Sequence, residues 1–279
     1  MSLLFFGRHP KKQYGEHLHP FLQPINTNNF LANHDALINK LKLAYSDTES
    51  WESKILPCIE QLTLVCAHLP YTANGVFCDV DGLFKASIQA ATYAVEIMES
   101  TVQLEKNIMA QHLLQGRLKA AALLAGLCAF MDTLEKISIS EHSVNKEISF
   151  FHISERNHVN HLGFNPFAMP YDTWVKEKLK SNPSIELAFH WKNTTLITQS
   201  RQNLRLFYAR HVLVPETMAW LGEAGSLPLI ELMKCLTVDS DLDEAPSSVI
   251  KARNLGVYRA CQLERENMGA KLGKVLAPH

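Results

Sequence analysis

The chain has 279 residues, of which 47% are hydrophobic and 20% charged, with a formal net charge of −1. That composition excludes a largely disordered chain. The near-neutral balance excludes a global electrostatic pull toward nucleic acid or an anionic membrane, though not a local basic patch. The six cysteines include no C-x-x-C pair and sit mostly among apolar neighbours. They read as reduced, buried thiols, which points to a cytoplasmic setting.

Residues 1–33 hold Pro10, Pro20, Pro24 and a polar Ile25–Asn29 segment, and are expected to form an extended N-terminal arm. Helical periodicity begins near His34. Ser46 and Glu49 have the spacing of a capping box. Trp51, Ile55, Ile59, Leu62 and Cys66 then recur on one face, with Pro57 placed to kink or split the helix. A loop is expected over Pro70–Asp81. Phe84, Ile88, Ala91, Val95 and Met98 follow helical spacing. The run Ala120–Met131 is apolar on all sides and falls short of the roughly 20 residues a membrane span needs, so it reads as a core helix rather than a span.

Residues 147–153 and 186–191 have the character of short strands. Residues 203–212 look helical, and Pro215 fits the first turn of a further helix. Ser226-Leu227-Pro228 starts another that ends near Cys235. Residues 239–246 form an acidic linker, after which Ser247 or Ser248 caps a last, mildly basic helix. The expected fold class is all-α, with one or two short strands. The expected division is an arm over 1–33, a helical domain over 34–238, and an acidic linker with a C-terminal helix over 239–279.

Several segments form an ordered series: Leu69-Pro70, Gly82-Leu83-Phe84, Leu123 to Cys128 (LLAGLC), Asn165-Pro166-Phe167 followed by Trp174, and Trp220-Leu221. In order and spacing they resemble the N-terminal domain of HD-type relaxases (relaxase–helicase proteins) of integrating conjugative elements, over roughly residues 20–265. The resemblance implies an HD-domain-like helical fold and DNA transfer as the context. HD enzymes hold divalent metals with imidazole and carboxylate groups, and the metal activates water against a phosphoryl centre. The positions here that match the family's His cluster and following His are Gly75, Val76, Phe77 and Ala86. Its H-D dyad falls on Ala129 and Phe130. Its H-x-x-H-E element falls on Thr198–Gln202, which has no His. None of these side chains offers the imidazole or carboxylate such a site requires. The resemblance thus implies a degenerate member: not an enzyme, without cofactor or metal, and acting as a protein- or DNA-binding component of a mobile-element or secretion system.

Two enzymatic alternatives stand beside it. Asp79-Val80-Asp81-Gly82 is similar to the D-x-D-G nucleophile loop of haloacid-dehalogenase-type phosphatases, with Asp239, Asp241 and Asp243 as later acids and Lys234 nearby. That motif would end a buried strand in a doubly wound sheet, which the helical periodicity here does not provide. The plainer reading puts Asp81 at the N-cap of the helix through Phe84, accepting an amide hydrogen bond. The second alternative is a metal-dependent phosphohydrolase with a rebuilt site using His158 and His161, spaced i, i+3. The plainer reading is a pair of surface histidines. His68, His190 and His211 are expected to be hydrogen-bonded at the core edge, and Cys128 to be an inert buried thiol.

Overall fold

A computed structural model of the chain describes residues 25–100, 108–142, 164–165, 168–181, 186–191, 198–237 and 247–276. The fold is all-α with one pair of short strands.

The first helix, α1 (Thr27–Asn33), lies inside the stretch expected to be an extended arm. The polar run was misleading because Asn26 is an N-cap, its side chain accepting the Asn29 amide at 3.2 Å. Ile25 and Phe30 take the two positions of a hydrophobic staple around that cap, and both are buried. His34 forms the elbow into α2 (Asp35–Tyr45), which buries Ile38, Leu41 and Tyr45.

The expected Ser46–Glu49 box does not form. Ser46 instead ends α2 in the left-handed region at φ 65°, its amide bonded to Lys42 O. The cap moves one residue on. Asp47 accepts from the Glu49 and Ser50 amides and starts α3 (Thr48–Ser50). A π-helical turn over Trp51–Ile55 follows, closed by the Leu56 amide on Trp51 O. It leads without a break into α4 (Leu56–Cys66), with Pro57 in the turn just after the π-helical one. The expected break at Pro57 is therefore a change of helix type. Trp51, Ile55, Ile59, Leu62 and Cys66 are all buried.

After the loop 67–81 come α5 (Gly82–Ser100) and α6 (Ile108–Leu127). The predicted stripe of α5 is buried throughout. By length and composition the segment Leu113–Lys136 would suffice to cross a membrane. Every residue from 120 to 131 is nevertheless buried inside the fold, as befits a core helix. A turn and a 3-10 helix (Met131–Lys136) lead to β1 (Ile137–His142). Next come α7 (Tyr171–Ser181) and β2 (Glu186–Trp191). The strands pair antiparallel, from Ile137 opposite Trp191 to His142 opposite Glu186. The expected strand over 186–191 is thus β2, and 147–153 lies outside the described residues. The partner of β2 is β1, which alternates Ile137 and Ile139 inward.

Three more helices, α8 (Thr198–Ala209), α9 (Pro215–Glu223) and α10 (Leu227–Thr237), precede the long α11 (Ser248–Leu276). Pro215 opens α9 as expected. Ser247 Oγ accepts the Ile250 amide at 3.3 Å and caps α11. Val249, Ile250, Ala252 and Ala260 are buried, and α11 packs along α5 and α6. The contact is close enough to exclude side chains. A Cβ on Gly256 would lie 2.6 Å from Ala90 O, and one on Gly126 would lie 2.5 Å from Ala91 Cα. The alanine face of α5 is therefore clasped between α6 and α11.

Candidate functional site

The loop between α4 and α5 is tightly folded. Its backbone closes on itself through Tyr71 N–H to Phe77 O at 2.9 Å and Leu83 N–H to Leu69 O at 2.9 Å. Thr72 Oγ1 donates to Val76 O at 2.7 Å. His68, Phe77 and Asp81 all adopt positive φ, at 65°, 52° and 67°. Such angles cost energy in residues with a Cβ and persist only when surrounding contacts fix them. Gly82 is required by the same crowding, since a Cβ there would meet Phe77 O at 2.0 Å.

Asp81 is the polar centre of this loop. Its Oδ1 accepts the His68 amide at 2.9 Å and His68 Nδ1 at 3.0 Å. Its Oδ2 accepts from His34 Nε2 at 3.2 Å. Phe30 and Phe84 wall the group in. Phe30 packs edge to face with Phe84 at 4.9 Å and His68 at 5.6 Å, and tilted against His34 at 4.7 Å, between ring centroids. Burial by itself raises the Asp81 pKa. The hydrogen bonds and charge supplied by His34 and His68 overcome that, and the carboxyl titrates well below the usual carboxylate range. Asp81 directly precedes α5, as expected, and accepts an amide. The amide belongs to His68 rather than to the first turn of α5, so the residue ties three elements together: the α1–α2 elbow, the end of α4 and the start of α5.

Asp79 faces another way. It is 65% exposed and pairs with Lys85 Nζ at 3.0 Å, which also donates to Val80 O. The two acids of the D-x-D motif thus have separate partners. The residues before them form a turn, where a phosphatase nucleophile loop would follow a strand. Lys234 pairs with Glu231, while Asp239, Asp241 and Asp243 lie outside the described residues. So do His158 and His161.

The positions that the sequence resemblance sets against metal ligands come partly together. Phe77, 2% exposed, and Phe130, 3% exposed, both pack on Tyr71, with ring centroids 6.5 and 4.5 Å away. Val76 packs against the core, and Ala86 on α5 and Ala129 after α6 are buried. Gly75, at φ 106°, has open space where a Cβ would be. Thr198–Gln202 forms the first turns of α8. Phe77, Phe130 and Tyr71 together form an aromatic cluster. Among the described residues no group of three or more His, Cys, Asp or Glu is arranged to hold a metal ion. Burial pushes the Cys66 and Cys128 thiols up, so neither is a ready nucleophile.

Sequence reasoning placed His68 at the core edge with a hydrogen bond, and that is where it is. It did not pair His68 or His34 with Asp81. The only signal was His68 standing just before Leu69-Pro70, and nothing local names a partner 13 residues away, or 47 for His34. Set against protein-family models, curated proteins and solved structures, the chain finds no match in any of the three.

Proposed function

We propose that this protein is a catalytically inactive, HD-like helical scaffold of relaxase ancestry that acts by binding, as a cytoplasmic component of a mobile-element or secretion system. The observation that carries the reading is the cluster of Phe77 and Phe130 on Tyr71. Two positions distant in sequence, both matched to family ligands, meet at one spot and bring only hydrocarbon. Aromatic rings there have no lone pair for a hard or borderline metal, and they remove polar groups that would otherwise need partners. All six cysteines are free thiols, in keeping with a reducing compartment.

A protein partner is favoured over DNA. Leu227, Ile230 and Met233 form an exposed apolar row along α10, and α11 adds exposed Leu255 and Tyr258. Such a row suits an apolar helix better than a phosphate backbone. The first test is the metal content of the purified protein, with melting temperature followed under EDTA and then added Mg²⁺, Mn²⁺ or Zn²⁺. The scaffold holds no metal and shows no shift, because only a ligand of the native state raises the melting temperature. A tightly held transition metal would overturn the reading in favour of a rebuilt hydrolase. A gain with Mg²⁺ alone would redirect attention to Asp79 and Asp81. Partner binding that weakens steeply with salt would replace the protein with DNA.

A further inference from the structure

Helix α1 has only seven residues, too few to persist in isolation. Three attachments hold it. Phe30 is seated against Phe84 and His68. At one end the Ile25 amide donates to Asp172 Oδ1 at 2.7 Å. Asp172 stands on α7, is only 3% exposed, and also pairs with Lys176. At the other end His34 donates to Asp81 Oδ2. Both end fastenings are carboxylates, on two different elements, and neither belongs to the α1–α2 hairpin itself. Between them α1 crosses the Asp81–His68 pair and the buried face of Phe84.

We propose that α1 is a strap, fastened at its two ends by Asp172 and Asp81, that opens as a unit while the α5–α6–α11 body stays folded. Opening swings Phe30 away, uncovers the His68 ring and the face of Phe84, and frees Asp81 Oδ2 while Oδ1 stays bonded to His68. A closed strap hides an aromatic surface and an acidic oxygen that an open one offers together. The inference does not depend on the relaxase reading.

Hydrogen exchange on the full-length chain, read by peptide mass, tests it, with His34→Ala and Asp172→Ala each releasing one end. Each substitution is expected to speed exchange over residues 25–34 about tenfold, the scale of one lost charge-assisted bond. Peptides within residues 88–98 of α5 should keep the parent rate. Carbethoxylation of His68, mapped by peptide, should rise in parallel. If residues 25–34 and 88–98 speed up together, α1 belongs to the core unit and the proposal fails. If neither substitution changes exchange over 25–34, the carboxylates are not fastenings and it fails equally. Should Asp172→Ala unfold the chain, since Asp172 also holds Lys176, His34→Ala carries the test alone.

Discussion

Helix α5 starts in a loop crowded with polar contacts and then runs between two helices that approach it with almost no side chain. In the loop, Asp81 holds its neighbours by direction: three hydrogen bonds, two from His68, which has a positive φ, and one from His34 at a helix elbow. Along Ala90, Ala91 and Ala94 the fold is held by shape alone, with Gly126 and Gly256 admitting backbones to within contact. The first kind of region is sensitive to the charge and direction of its polar groups. The second ignores chemistry and is intolerant of a single methyl group.

Substitutions can set the two against each other. The largest effect is expected from Gly126→Ala. On an isolated helix this change stabilises by up to about 1 kcal/mol, yet here the new Cβ meets Ala91 backbone atoms. We expect a loss of about 3 kcal/mol, read as a lower urea midpoint, with Gly256→Ala close behind. A gain in stability at either site would show that the seam has slack. Next, Asp81→Asn keeps the volume but discards the charge, and should cost about 2 kcal/mol.

The same residue gives a pH signature. Its folded pKa is lowered, so its contribution is complete above the ordinary Asp pKa of about 4 and is lost as pH falls below it. The parent should therefore lose stability in acid more steeply than Asp81→Asn, measured as urea midpoints between neutral and strongly acidic pH. Gly126→Ala should leave that slope unchanged. Equal slopes in parent and Asp81→Asn would mean the carboxylate is not held as described. The smallest effect is expected at Asp79→Asn, within about 0.5 kcal/mol, since an exposed pair with Lys85 contributes little. Any phosphatase activity that disappears with Asp79→Asn would revive the D-x-D alternative.

What the sequence made legible follows the same division. The stripe of α5, the apolar run through Ala120–Met131 and the face from Trp51 to Cys66 were readable because burial repeats with the helical period. Pro215 and Ser247 were readable because a cap is a local event. Asp47 and Asn26 were not, although they are caps too. Each stands beside residues with a competing signal: Ser46 has a better capping pattern but ends α2, and Asn26 begins what looks like a polar loop. The α11 helix looked detachable because its acidic leader resembles a linker. The burial of Val249, Ile250, Ala252 and Ala260 and the close approach of Gly256 to Ala90 and Ala94 place it against the core. The Asp81 cluster was the least legible part. A carboxylate and two imidazoles drawn from three elements carry no spacing rule, and their meeting is a product of tertiary structure.

The glycine seam also has a consequence for inheritance. Position 256 touches 90 and 94, while 126 touches 90 and 91, so α5 presents one surface that two helices must match at once. A larger residue on α5 has no empty space to enter opposite it, and a larger one opposite has no smaller residue than alanine to press on except glycine. Among descendants of this chain, these five positions should drift as a group or stand still together, whatever happens to the loop that precedes them.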